Sequence, residues 1–111
     1  MDSFEEEGCT GACMVRSVLS LFGKKNAMAI IRQLLVDGTL RFNQLHQKVG
    51  GHPKTTQKRL EELSSFGLVR RVQYDEIPPR VEYSLTEPGK EMEDIFQRIS
   101  LWTGRWRDSL S

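Results

Sequence analysis

The chain has little of several things, and each shortage removes a class of protein. It holds 2 cysteines in 111 residues, too few for a disulfide framework, so a reducing, cytoplasmic setting is expected. No apolar run approaches the roughly 20 residues that a membrane span requires. The amino terminus is acidic and lacks the apolar stretch of a secretory signal. Charge of one sign is scarce too, since 16 lysines and arginines face 15 acids for a net of +1. Asp2, Glu5, Glu6 and Glu7 cluster at the start, and setting them aside leaves 16 basic against 11 acidic side chains. That balance permits an anionic partner without arguing for one. Repeats and low-complexity tracts are missing. So is a metal-ligand pattern: Cys9 and Cys13 have a three-residue gap, nothing elsewhere completes a set, and neither a metal nor a cofactor is expected. What remains is an ordinary composition, 38% apolar and 28% charged. It suits one domain over residues 1–111, with residues 1–12 expected to be a flexible lead-in.

The most informative stretch runs from Gly51 to Tyr83. Pro53 suits the first turn of a helix. Thr56, Leu60, Leu63 and Gly67 then recur on one face, with Lys54, Thr55, Lys58 and Glu61 on or near the other. Gly67 is placed to end the helix in a left-handed cap. Leu68 to Tyr74 and Val81 to Leu85 are rich in β-branched and aromatic residues and read as paired strands. Asp75-Glu76-Ile77-Pro78-Pro79-Arg80 between them reads as a stiff projecting loop. A short basic-faced helix followed at once by a two-stranded β-wing is the layout of a winged helix-turn-helix. The fold class expected is α+β, mostly helical, with an N-terminal helix and a C-terminal dimerisation helix.

The rest of the chain fits around that unit. Cys13 to Phe22 predicts a first helix. Lys24 to Val36 predicts a second, with Met28, Ile31, Leu34 and Leu35 on its buried face and Asp37-Gly38 at its end. Thr39 to Phe42 is expected to add a short third strand. Phe42, Leu45 and Val49 mark a brief helix stopped by Gly50-Gly51, the turn of the helix-turn-helix. Thr86 resembles an N-cap with Pro88 in the first turn. Beyond it Met92, Ile95, Phe96, Ile99, Trp102 and Trp106 step at three and four residues. Such a stripe leaves an exposed apolar patch on a monomer. Val15, Val18, Leu19 and Phe22 of the first helix, with Ile95, Phe96, Ile99, Trp102 and Trp106, are therefore the expected homodimer contact. The alternative folds the last helix back on its own domain.

Double-stranded DNA is the partner such a unit suits. A helix in the major groove reads base edges with its first turns and holds phosphates with flanking cations. Lys54, Thr55, Gln57, Lys58 and Arg59 occupy those positions, against the plainer reading that lysine and glutamine simply solvate an exposed face. Arg80, behind two prolines, is suited to the minor groove; its alternative is an ion pair with Asp75 or Glu76. Arg70 and Arg71 leave their strand on opposite sides, so at most one faces DNA. Lys25, Arg41, Asn43 and Gln44, near helix starts, are candidate phosphate contacts.

The residues also resemble the HxlR-type winged-helix regulators of bacteria and archaea, from about Cys13 to Trp102. Gly23-Lys24-Lys25 is similar to that family's Gly-Gly-Lys-Trp, Ile30 to Leu35 to its Ile-Leu-Arg-Glu-Leu-Leu, and Arg41-Phe42-Asn43-Gln44-Leu45 to its Arg-Phe-Asn-Glu-Leu. Pro53-Lys54 and Gln57 to Leu63 resemble its Ser-Pro-Lys and Gln-Arg-Leu-Arg-Glu-Leu. The most specific block is Ile77 to Thr86, close to Val-Pro-Pro-Arg-Val-Glu-Tyr-Ser-Leu-Thr. Asn26 and Lys24 depart from a tryptophan and a glycine, and Met14 from a proline. His52 replaces the serine that caps the reading helix, which implies a looser helix start. The resemblance implies a sequence-specific, operator-binding homodimeric transcriptional regulator and no enzyme. Some members of the family use the cysteine matching Cys13 to sense oxidants or electrophiles, which implies a sensing thiol here and an effector of unspecified chemistry. Cys9 would then resolve a sulfenic acid at Cys13, or each would bridge to the other subunit. A helix start favours thiolate at Cys13, whereas the acids at positions 5 to 7 oppose it. The plainer reading is a small buried residue in the dimer contact. Two other functions stay open: a winged-helix module that binds protein, and a small thiol enzyme on Cys9 and Cys13.

Overall fold

Six side chains of three helices, Ile30, Ile31, Leu34, Leu45, Leu60 and Leu63, are almost completely closed to solvent, and everything else packs around them. The structure, a computed structural model, describes residues 11–110; Cys9 and the acidic lead-in lie outside the described residues. Helix α1 spans Gly11–Phe22, α2 Ala27–Asp37, α3 Phe42–Val49 and α4 Pro53–Phe66. Strands β1, β2 and β3 are Leu40–Arg41, Val69–Tyr74 and Arg80–Leu85. The chain ends in α5, Glu87–Lys90, α6, Met92–Arg105, and α7, Arg107–Leu110. The strands form one antiparallel sheet in the order β1-β3-β2. Leu40, Val69, Tyr83 and Leu85 turn inward from it onto the helices.

The expected layout is present, with local differences that have physical reasons. Gly11 and Ala12, expected in the flexible lead-in, already belong to α1. Helix α2 begins at Ala27, not Lys24, because Asn26 takes a left-handed conformation with φ 70°, which asparagine tolerates better than most side chains. The later start rotates the buried stripe to Ala27, Ile30, Ile31 and Leu34. Met28, expected on that face, is exposed, and Leu35 is only half-buried. Leu68 stays out of β2 because its N–H bonds Leu63 O at 3.0 Å and finishes the end of α4. Arg80, expected in the loop, is the first residue of β3, opposite Tyr74.

The C-terminal segment is not one helix. Thr86 caps it as expected: its hydroxyl accepts from Gly89 N–H at 3.2 Å and donates to Gly67 O at 2.6 Å. That double bond draws α5 onto the end of α4, and Gly89 is buried there. A Cβ at Gly89 would lie 2.2 Å from Leu68 O. From Gln97 to Ser109 every side chain of α6 and α7 is exposed. The radius of gyration, 16.1 Å, exceeds the roughly 13 Å of a compact domain of this length, as a projecting helix requires.

Replacing Gly89 by alanine forces backbone apart at the junction of α4, β2 and α5. A loss of about 2–3 kcal/mol is expected, read as a lowered urea midpoint at unchanged slope; a wild-type midpoint would show that the contact relaxes freely.

Candidate nucleic-acid interface

The angle between α3 and α4 is set by a turn and a buried polar contact. Gly50 and Gly51 both have φ near +80° (80° and 83°), a conformation open to glycine and costly for most other residues. Across that turn Thr56, fully buried, hydrogen-bonds His46 Nδ1 through Oγ1 at 2.9 Å. His46 in turn stacks on Phe42, ring centres 5.8 Å apart. The start of α4 is not loose: His52 Nδ1 accepts the Lys54 N–H at 3.1 Å, so the imidazole does what a serine does elsewhere.

A second set of contacts holds α4 to the chain before it. Glu62 receives Lys24 at 2.8 Å and Arg59 at 2.7 Å, and Arg59 Nε also donates to Lys25 O at 3.0 Å. Asn26 Nδ2 reaches Gly50 O at 3.4 Å. The loop between α1 and α2 is thus tied to both the turn and α4. Lys48 and Asp37, 2.7 Å apart, tie α3 to the end of α2. The Lys24 hydrogen bond holds the Glu62 carboxyl below its usual range; partial burial opposes this and Arg59 reinforces it. Asp37 is lowered in the same way, by Lys48 first and Gln33 second.

These bonds sort the candidate residues. With Thr56, Leu60 and Leu63 inward, Lys54 and Lys58 point furthest outward. Lys25, Lys54 and Lys58 are exposed and make no ion pair with the described residues. Thr55 and Gln57 are half-buried on the two flanks. Arg59 is engaged in the brace, with its side chain only 14% exposed. Arg41 and Asn43 are exposed at the start of α3, and Gln44 caps that helix by accepting the Arg41 N–H at 2.9 Å.

The wing places Arg70 and Arg71 on opposite sides, as expected, and Arg80 in the ion pair of its alternative reading. Arg80 is not a free cation on the tip. Its guanidinium lies 4.2 Å over the Tyr74 ring, 3.0 Å from Glu76 and 3.8 Å from Glu82. Arg71 lines a groove with Gln57, Glu61 and Ser64 of α4, whereas Arg70 lies with Thr39 and Lys90 on the far side. Arg71 is the basic residue that sequence reading left undecided. Its signal is the alternation from buried Val69, which puts residue 71 on the face toward the helices.

The apolar faces of α1 and α6 meet in a groove of about 430 Å³ lined by Val15, Val18, Leu19, Phe22, Ile95 and Ile99 among others. Phe22 and Phe96 touch at its floor, 6.0 Å between centres. Val15, Leu19, Ile95, Ile99, Trp102 and Trp106 remain exposed. Cys13 is half-buried in the first turns of α1.

A helix-turn-helix with a sheet-borne wing and a protruding last helix defines a winged helix-turn-helix protein. The sequence matches the HxlR-like helix-turn-helix family over residues 21–111, and the chain belongs to that family of transcriptional regulators, which are not enzymes. It is 40% identical over 85 residues to an uncharacterized HTH-type transcriptional regulator of Halalkalibacterium halodurans, covering 76% of this chain and 75% of that one. With the HTH-type regulator YdeP of Bacillus subtilis the identity is 34% over 102 residues, 88% of this chain and 77% of YdeP. Among solved structures, the reduced form of the regulator YodB from B. subtilis superposes with a TM-score of 0.76 at 31% identity, over 87% of this chain and 95% of that one. The redox regulator HypR in its reduced form gives 0.66 at 33% identity, over 86% and 95%. Among the described residues no helix is long and apolar enough to cross a membrane.

The brace on Glu62 has a pH signature. Its folded-state pKa is lowered, so its contribution is complete above the ordinary value of 4.5 and is lost as pH falls through the lower folded value. Glu62→Gln should therefore cost less than about 1 kcal/mol at neutral pH and flatten the acid limb of the stability curve. An acid limb identical to wild type would exclude this role.

Proposed function

We propose that the protein is a homodimeric, sequence-specific transcriptional regulator of the cytoplasm that binds operator DNA with α4 in the major groove and the wing at the adjacent minor groove. The observation that carries this is the state of the cations on α4. Lys54 and Lys58 project from its first two turns without ion-pair partners among the described residues, while its neighbour Arg59 is bound inward. Lysines left unpaired at a helix start, above a capped and buried base, suit base edges and phosphates. Thr55 and Gln57 flank them for base contacts, and Lys25, Arg41, Asn43 and Gln44 offer phosphate contacts. Arg71 joins this set from the wing. Arg59 and Arg80 act through the residues they hold in place.

The dimer is supported by the apolar groove between α1 and α6 and by the exposed tryptophans beyond it. A two-fold contact there sets the spacing of two α4 helices. Redox or electrophile sensing through Cys13 is supported by its place on α1, beside that contact, and by its relatives. YodB has been solved reduced, diamide-treated and quinone-bound, and HypR is a redox regulator. Modification of Cys13 would shift α1 and with it the distance between the reading helices.

Titration of the chain's own upstream DNA tests the first claim. Wild type should prefer it to random DNA, and Lys54→Ala or Lys58→Ala should each lower the slope of log affinity against log salt by about 1. Ile99→Glu should sediment as a monomer and lose cooperative half-site binding. Wild type without sequence preference would end the proposal. For the thiol, a mild oxidant should change operator affinity of wild type and leave Cys13→Ser unaffected; equal responses remove Cys13 from the mechanism.

A further inference from the structure

We infer that the wing meets DNA through an apolar tip, with Ile77 seated against the sugar walls of the minor groove and Arg80 serving the tip from behind. The inference rests on the DNA-binding reading above. Ile77 is the most exposed large apolar side chain among the described residues, wholly in solvent, and Pro78 and Pro79 beside it are exposed as well. An isoleucine held out at the end of a hairpin by two prolines contributes nothing to the core of its own chain. Nor does it line the groove between α1 and α6.

Charge excludes a phosphate contact as the role of the tip. From Asp75 to Glu82 the wing carries three carboxylates and one guanidinium. Such a loop is repelled by phosphates, so electrostatic attraction does not bring it to DNA. Arg80 reduces that repulsion. Bridging Glu76 and Glu82 while stacked on Tyr74, it neutralises carboxylates next to the tip and stiffens the neck of the hairpin. Contact with the minor groove then falls to the apolar residues, in the manner of the aliphatic wedges with which other proteins enter that groove. The placement is fixed by α4 itself. Leu68 N–H bonds Leu63 O and Thr86 N–H bonds Leu68 O, both at 3.0 Å, so the hairpin leaves the end of the reading helix without a free joint.

The two kinds of contact separate by salt dependence, because burial of an apolar side chain releases no counterions. Ile77→Ser should weaken operator binding roughly tenfold with an unchanged salt slope and lose hydroxyl-radical protection of the minor-groove sugars flanking each half-site. Ile77→Leu should retain both. Arg80→Gln should weaken binding without lowering the slope, since it uncovers carboxylates rather than removing a phosphate contact. Ile77→Ser at wild-type affinity, or a slope lowered by about 1 in Arg80→Gln, overturns the inference. If Lys54→Ala and Lys58→Ala still lower the slope in that case, DNA binding stands and only the apolar tip has failed. A wild-type protein without operator preference would instead mark failure of the underlying reading.

Discussion

Three side chains of α4, Thr56, Leu60 and Leu63, are wholly buried, and this constraint decides what the helix offers to the outside. Helical geometry leaves residues 54, 58 and 61 opposite them. Two of those are lysines without ion-pair partners among the described residues, and the third, Glu61, limits the cationic surface to the first two turns. Thr56 is the unusual member, a polar group where a leucine would fit the pattern. Its hydrogen bond to His46 satisfies the buried hydroxyl and fixes how α3 meets α4. A leucine there would fill space without specifying the angle.

The remaining charged contacts complement that constraint. Glu62 gathers Lys24 and Arg59, and Arg59 reaches Lys25 O, so one carboxylate joins the loop between α1 and α2 to α4. Each pair is partly exposed and weak alone. As a network they hold the loop before α2 against the reading helix, and that loop follows directly from α1. Through it, the face proposed for dimer contact and the face proposed for DNA are linked by a small set of side chains. The paired cations therefore serve geometry, and Lys54 and Lys58, without ion-pair partners among the described residues, are the ones the proposed DNA contact draws on.

Much of this was legible in the sequence, for reasons that explain the exceptions. The helix-turn-helix and wing follow from local signals: Pro53 at a helix start, glycines at its turn and end, and period-2 strands with a proline-rich tip. The start of α2 was not legible, because Asn26 is left-handed there and its amide meets Gly50 O, 24 residues away. The cap on α4 was misjudged because histidine is not among the usual capping residues, although an imidazole nitrogen accepts a backbone N–H as well as a hydroxyl does. Arg80 was open between two readings because its environment depends on strand register. Only once Tyr74 is placed opposite it, with Glu82 two residues on along the same face, does the guanidinium have an aromatic ring and two carboxylates within reach.

The last helix presents the sharpest physical problem. Trp102 and Trp106 are 48% and 47% exposed, although large aromatic side chains favour burial more than most. Thr86 binds Gly67 and Gly89 abuts Leu68, which fixes where α5 meets the end of α4 and so where α6 begins. An apolar stripe projecting beyond the described core suits cover by another surface, which the proposed dimer would supply. The groove beside α1 has the matching chemistry, and a two-fold axis lets each copy supply both halves of the contact. In the proposed dimer the apolar contact and the separation of the two α4 helices would both depend on where α6 begins, beside the junction at Gly89. Any change on α1 that alters the contact must then move both.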